Sequence, residues 1–504
     1  MVQHDGRPPV PAPAGLRDLI RTRAERDADR VFLEDARSDR VLRHGELASA
    51  VDAWAATFDD IGIAPSGAVL VDVGDPLSFA VVHLAAVATG RRAVPVDTGQ
   101  PTTEPARLAG LLGGASIVVS DRDADATVPG TPSARVDPAT GLPIEVRGGD
   151  LPATSPDAPG EGSVVLFTSG STGTPKGVEL PESQLLFVAR AVAEHNALGP
   201  EDRGFNSLPL FHVNAEVVGL LASLVAGSTL VLDRRFRRTG FWELLADRRI
   251  TWLNAVPAIL AVLAKTGPLD FPPSLRFVRS ASAPLPDPVR AALGDVPLVV
   301  SWGMTEGASQ ITATPLDEPA RLGTVGVPVG TEVQVRGDDG GVLPAGEVGA
   351  LWVRGPGIVR SYLFGRAAER FDAAGWLATG DVGSVSEDGW VSLAGRSDDV
   401  INRGGEKVYP SEVEDVLLGD ARVLEAVVVG RPDDVLGSVP VAYVIPHPDQ
   451  PVDAEVLVAD LTARTTAELS RFRRPVEVIV VPDLPRAPTG KIQRARVRTM
   501  AETP

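Results

Sequence analysis

Strand-like apolar runs alternate with segments of helical periodicity from the start of this chain, and that alternation is what most restricts its fold. Helical spacing of apolar residues covers 16–27, 45–61 and 77–89, while 68–73 and 93–96 are short apolar runs of strand type. A strand, a helix and a second strand at this spacing predict layered α/β sheets. Residues 121–162 are rich in Pro, Gly, Asp and Thr and read as a surface connection. A buried strand follows at 164–167, then a helix at 182–196, and further short strands at Leu208, 230–232 and 298–300. Valine-rich pieces separated by glycines over 323–359 predict a small β-barrel. After Gly395 the pattern changes again, with strands at 423–429, 439–445 and 476–481 around a helix at 454–469. That is a compact α+β unit, so the expected division is a large domain over residues 1–396 and a small mobile C-terminal α+β domain over 397–504.

Composition removes several classes of function. The net charge of −18 argues against a nucleic-acid partner and against docking on anionic lipid. With no cysteine in the sequence there can be no disulfide, no thiolate metal site and no thiol nucleophile. The opening MVQHDGRPPVPAPAGL has no basic segment leading into an apolar one, so it does not read as a signal peptide. The longest uncharged stretch, 217–232, falls short of the roughly 20 residues a membrane-spanning helix needs. The expectation is a cytoplasmic protein without a membrane span.

One local pattern carries chemistry. Thr168-Ser169-Gly170-Ser171-Thr172-Gly173-Thr174-Pro175-Lys176-Gly177 follows the strand at 164–167 directly. Glycines let backbone N–H groups close on an anion, hydroxyls add donors, and lysine adds a slim cation, so this loop suits a polyphosphate. A Walker loop needs Gly-Lys-Ser/Thr opening a helix, whereas Lys176 lies between Pro175 and Gly177. Lysine is also scarce. Of 48 basic residues only Lys176, Lys265, Lys407 and Lys491 are lysine.

TSGSTGTPKG resembles the phosphate loop of the adenylate-forming enzymes: acyl-CoA synthetases, peptide-synthetase adenylation domains and luciferases. Further blocks resemble that family in the same order. Leu208-Pro-Leu-Phe-His-Val-Asn214 is similar to its second block, with His212 at the mouth of the acyl pocket. Ser280-Ala-Ser-Ala-Pro-Leu285 is similar to its adenine turn, which implies contacts from Ser282, Ala283 and Pro284. Ser301-Trp-Gly-Met-Thr-Glu306 resembles its aromatic-Gly-x-Thr-Glu block. There Trp302 would stack on adenine beside Gly303 and Met304, Thr305 would meet the α-phosphate, and Glu306 would hold Mg²⁺. Trp302 stands where the family usually has tyrosine, so the phenolic oxygen is missing.

Asp381 in Ala378-Thr-Gly-Asp381 matches the ribose-binding aspartate. Arg396 would contact ribose or phosphate, Asp398 would be the hinge, and Gly404 and Gly405 would line the coenzyme A tunnel. Lys491, in Leu484-Pro-Arg-Ala-Pro-Thr-Gly-Lys-Ile492, matches the adenylation lysine. Val213, Asn214, Asn254 and Ala255 are candidate acyl-pocket residues by the same resemblance, and the two asparagines hint at a polar feature on the substrate. Lys407 lies within a matched block, Arg473 and Arg474 are candidates for a coenzyme A phosphate, and Lys265 reads as a solvated residue. The histidines at 4, 44, 83, 195 and 447 match nothing.

The resemblance implies ATP, Mg²⁺ and coenzyme A as cofactors and a small carboxylic acid as substrate. It implies an acid–thiol ligase that forms an acyl-adenylate, expels pyrophosphate and passes the acyl group to a thiol while the C-terminal domain rotates. Alternatives stay open: transfer to a carrier protein or an amine, or a nucleotide-binding sensor without catalysis. A homodimer is likewise left open.

Overall fold

The computed structural model describes residues 15–122, 128–151, 160–168, 175–264, 269–448, 450–486 and 492–502. Two large sheets form its centre. The first has seven strands in the order Pro143–Arg147, Ser133–Val136, Ile117–Ser120, Ala68–Asp72, Arg92–Pro95, Ser163–Thr168 and Lys176–Pro181. The second has nine. Its parallel middle runs Leu298–Trp302, Phe277–Ser280, Trp252–Ala255, Arg203–Asn206, Thr229–Leu232 and Val31–Asp35. Helix Pro76–Ala88 is buried continuously from Leu77 to Ala88 and packs against strands of both sheets. A helix apolar on every side has nowhere to lie but between two apolar layers. Asp75 caps it by accepting from the Ser78 N–H at 3.0 Å, and Pro76 fits the first turn, where its missing N–H is not needed.

The helical readings hold closely. The observed helices are Leu16–Asp27, His44–Asp60, Pro76–Ala88 and Glu182–His195. Three expectations need correction. The strand expected at Leu208 lies upstream at Arg203–Asn206, because Pro209 follows and cannot donate to a ladder. Residues 121–162 are not all connection: Ser133–Val136 and Pro143–Arg147 extend the seven-stranded sheet, and Ala134 and Val136 are buried in its core. The small barrel is an open antiparallel sheet in the linear order Glu332–Arg336, Gly349–Arg354, Leu377–Val385, Val391–Arg396. Val325 and Thr324 bond to its last strand and lead into Val327–Pro328 of the nine-stranded sheet, so the small sheet is fused to the large one at that edge.

The C-terminal strands form a separate five-stranded sheet built on Val423–Asp433 and Gly437–Pro446, with Glu477–Val480 parallel to the latter. Helices Pro410–Leu418 and Ala454–Glu468 cover one face over a core of Val413, Leu417, Leu457 and Leu461. Helix Arg494–Glu502 covers the other, with Val497 and Ala501 on Val427, Val429 and Val441. No helix among the described residues is long and apolar enough to cross a membrane.

His44 is 1% exposed and stacks on Phe32 at 5.3 Å between ring centres. Burial first, and then Arg23, lower its pKa from 6.5 to about 4. Between those pH values the unfolded chain takes up a proton that the folded protein refuses. This stability is therefore complete above pH 6.5 and is lost as pH falls towards 4, by about 3 kcal/mol. We expect His44→Phe to flatten the fall of Tm between pH 6.5 and 4; an unchanged slope in thermal melts would contradict this assignment.

Candidate active site

The glycine-rich loop connects two antiparallel strands, Ser163–Thr168 and Lys176–Pro181, with Thr168 and Lys176 paired in register. A strand, not a helix, follows Lys176, which separates this loop from a Walker loop by geometry as well as by motif. Residues 169–174 (Ser169, Gly170, Ser171, Thr172, Gly173 and Thr174) lie outside the described residues, as does Lys491.

The Lys176 ammonium lies over the Tyr362 ring, 5.6 Å from its centre. The Tyr362 hydroxyl donates to Glu306 Oε1, and Arg370 Nη1 reaches the same oxygen at 3.2 Å. Arg370 also donates to the Ala378 and Thr379 carbonyls at 2.6 and 2.9 Å. Burial, reinforced by the Glu306 carboxylate, pushes the Tyr362 hydroxyl well above its ordinary pKa and keeps it a donor. Glu306 is buried, and its main chain is pinned as well: its carbonyl accepts from Val359 N at 2.9 Å and from Gln184 Nε2 at 3.2 Å. Oε1 is therefore occupied, and Oε2 has no hydrogen-bond partner among the described residues.

The cluster continues to the predicted ribose site. Arg396 donates to the Thr379 carbonyl at 3.3 Å and to Asp381 Oδ1 at 2.9 Å. Trp302 Nε1 donates to Asp381 Oδ2 at 3.0 Å. The position therefore keeps a hydrogen-bond donor, an indole N–H to a carboxylate, although the phenolic oxygen is missing. Gly303, next to Trp302, has a steric reason: a Cβ there would lie 1.4 Å from the Ser309 carbonyl oxygen. Met304 and Thr305 form the turn after it, closed by Gly307 N and Ala308 N on their carbonyls.

A second polar group lies beside it. Asn214 opens the π-helix Asn214–Leu221, and its amide donates to the exposed Ser282 hydroxyl at 3.2 Å. Ala283 and Pro284 complete that exposed turn. Asn254 donates to Asn206 Oδ1 at 3.1 Å and to Asn214 Oδ1 at 3.3 Å, and Ala255 ends the same strand. His212 and Val213 precede the π-helix. His212 is open to solvent, yet the protein around it lowers its pKa, while Asp97 opposes this.

The remaining candidates sit on the C-terminal unit, and no described hydrogen bond ties them to the cluster. Asp398 lies in a 3-10 turn, Ser397–Asp399, where its carbonyl accepts from Arg498 at 3.0 Å. It is Asp399, not Asp398, whose side chain is paired, with Arg494 at 3.4 Å and Arg498 at 2.8 Å. Gly405 has open space where a side chain would go; its φ of +94° is what calls for glycine. Gly404 donates to the Leu436 carbonyl. Lys407 pairs with Asp338 of the small sheet at 2.9 Å, an exposed contact of the kind that contributes about 0–1 kcal/mol. Arg473 pairs with Glu412 and Arg474 donates to the Leu469 carbonyl.

Tyr362, Arg370 and the fully buried Arg279 are absent from the sequence-level candidates. Tyrosine occurs only three times in the chain, a scarcity that could have drawn attention to Tyr362. Arg279 is a lone charge inside an apolar strand, which is the signal it offered.

The family model described as AMP-binding enzyme matches residues 20–363, and its C-terminal-domain model matches 412–491. The chain belongs to the AMP-binding enzyme family. It is 34% identical to the sulfoacetate–CoA ligase of Cupriavidus necator, over 96% of this chain and 97% of that protein. It is 30% identical to the oxalate–CoA ligase of Arabidopsis thaliana, over 90% and 92%. Among solved structures, the o-succinylbenzoate CoA synthetase of Bacillus subtilis with its acyl-adenylate intermediate superposes with a TM-score of 0.82 at 28% identity, covering 95% of this chain and 97% of that one. The same enzyme with ATP and magnesium gives 0.81, also at 28% identity, over 95% and 98%. The layered α/β fold with a separate C-terminal domain is that of these enzymes.

Arg370→Met would remove the cation that holds Glu306, Tyr362 and two backbone carbonyls together. We expect a loss of about 2–4 kcal/mol, since one partner of a largely buried charged network is taken away. Urea denaturation checks this, and a midpoint within error of the parent would count against the network.

Proposed function

We propose that this protein is an AMP-forming acyl-CoA ligase that activates a small carboxylic acid with ATP and transfers the acyl group to coenzyme A. The observation that carries this reading is the single connected cluster of Lys176, Tyr362, Glu306, Arg370, Asp381 and Trp302, drawn from separate stretches of chain. Relatives of near-full length that are CoA ligases support it.

In the first step a carboxylate oxygen attacks the α-phosphorus, the bond to the β-phosphate oxygen breaks, and pyrophosphate leaves. Acid and nucleotide are both anions, so cationic and N–H groups must screen their approach. Lys176, at the end of the glycine-rich hairpin, would do so. Lys491 would add positive charge at the reacting phosphate. The free Oε2 of Glu306 suits Mg²⁺, a hard cation that accepts one or two carboxylates together with substrate phosphates. Asp381, oriented by Trp302 and Arg396, would accept from the ribose hydroxyls. Thr168, the hydroxyls of the loop, the Ser282–Pro284 turn, Met304 and Thr305 would complete the nucleotide site. His212, Val213, Asn214, Asn254 and Ala255 would border the acid.

In the second step the thiol attacks the acyl carbon and AMP leaves. The 1–396 and 397–504 units would reorient about Asp398, withdrawing Lys491 and bringing the Gly404–Gly405 turn to the cleft. The acids in the relatives' names, sulfoacetate, oxalate and 2-succinylbenzoate, each carry a second acidic group and are the first to try.

Pyrophosphate release and acyl-CoA formation across an acid panel test the reading. AMP release only on addition of a carrier protein or an amine would overturn coenzyme A as acceptor. Lys491→Ala should abolish adenylation yet leave thioester formation from supplied acyl-adenylate largely intact, and Lys491→Arg should also be badly impaired, because a rigid fork replaces a slim ammonium. Equal loss of both half-reactions would refute the reorientation. Trp302→Phe keeps the ring but removes the bond to Asp381. We expect KM for ATP to rise about fivefold, in line with roughly 1 kcal/mol for such a bond; an unchanged KM would remove Asp381 orientation from the scheme.

A further inference from the structure

Arg279 is completely buried and has no acidic partner among the described residues. Its Nη1 donates to Asn214 Oδ1 at 3.0 Å and to Asn254 Oδ1 at 3.2 Å. Its Nη2 donates to Ser301 Oγ at 2.9 Å and to Gln310 Oε1 at 3.2 Å. All four acceptors are neutral, and Nε has no partner among the described residues. Burial lowers the pKa to about 9, which leaves the group cationic at neutral pH. Buried ions are ordinarily paired, because removal from water is costly and only an opposite charge recovers most of that cost. Here no opposite charge accompanies it among the described residues.

The location indicates where it would come from. Asn206, Asn254 and Arg279 are register partners across three adjacent parallel strands, each at or next to the carboxyl end of its strand. Ligands of open α/β sheets bind beyond those ends. Two of the asparagine amides are oriented by the cation: the carbonyls of Asn214 and Asn254 turn towards Arg279, and the Asn214 NH₂ therefore points away, to the exposed Ser282 turn. A positive charge behind an N–H donor strengthens that donor towards an anion.

We propose that Arg279 selects, through Asn214, an acid bearing a second anionic group, carboxylate or sulfonate, whose charge balances the buried guanidinium while its other carboxylate is activated. This rests on the acyl-CoA ligase reading and assigns it a substrate class. In the complex the Asn214 amide touches the distal anion, and Arg279 is the positioning residue behind it.

The test compares kcat/KM for malonate against propionate and for succinate against butyrate, pairs matched in carbon number. The parent should favour the diacid of at least one pair tenfold or more. Asn214→Asp sets an internal carboxylate beside Arg279, and should abolish that preference through the KM of the diacid. Arg279→Met should do the same and Arg279→Lys should keep part of it; should Arg279→Met fail to fold, Asn214→Asp decides. A parent that does not discriminate within either pair, or a folded Asn214→Asp with the parental ratio, would overturn the proposal. Calorimetric binding of malonate and succinate separates the two readings. Diacid binding that Asn214→Asp abolishes, without acyl-CoA formation from any acid, keeps this inference and removes the ligase. Turnover of both acids of each pair at equal kcat/KM keeps the ligase and removes this inference.

Discussion

Three sheets of this protein meet at one charged hydrogen-bonded node, the contact of Arg370 with Glu306 and Tyr362. Glu306 follows the last parallel strand of the nine-stranded sheet. The Ala378 and Thr379 carbonyls belong to the small antiparallel sheet, and Lys176, at the start of the hairpin's second strand in the seven-stranded sheet, lies over the Tyr362 ring. A guanidinium can serve this position because its donors are arranged in a fixed planar fork and reach several acceptors at once. Among the described candidate nucleotide residues, Thr168 and Lys176, Trp302, and Asp381 with Arg396 are carried on those three sheets, so their relative placement depends on this junction.

The second polar centre works by a different principle. At the Arg370 node the charge is paired with a carboxylate; at Arg279 no carboxylate pairs it among the described residues. One arrangement stabilises a framework, and the other leaves a positive potential at the carboxyl end of a parallel sheet. The two lie on opposite sides of Trp302: Ser301, bonded to Arg279, precedes it, and Glu306 follows. The candidate nucleotide residues and the buried Arg279 group are thus joined through one short strand end.

Much of the architecture was legible in local pattern. Helix Leu16–Asp27 follows its apolar spacing residue for residue, and the strands of the C-terminal unit appear where alternating valines place them. The misplacements have physical causes. Leu208 looks like a strand residue by itself, but the neighbouring proline keeps the ladder upstream at Arg203–Asn206. The polar stretch 121–162 conceals two short strands at one side of the seven-stranded sheet, Ser133–Val136 and the edge strand Pro143–Arg147, because strands near an edge that is open to water need few apolar residues. Closure of the small sheet could not be judged from glycine-separated valines, since it depends on which edges find partners.

Family membership, the candidate nucleotide residues and the order of the blocks were all determined by the sequence alone, because these depend on short contiguous motifs whose chemistry is local. The tertiary structure decided what no motif carries: that Trp302 bonds to Asp381, that Tyr362 and Arg370 brace Glu306, and that Arg279 is buried with no counter-charge among the described residues. One arginine among 44 has no individual signature in a sequence. Its meaning comes from burial and from the partners it finds or lacks, and both are properties of packing between residues far apart in the chain.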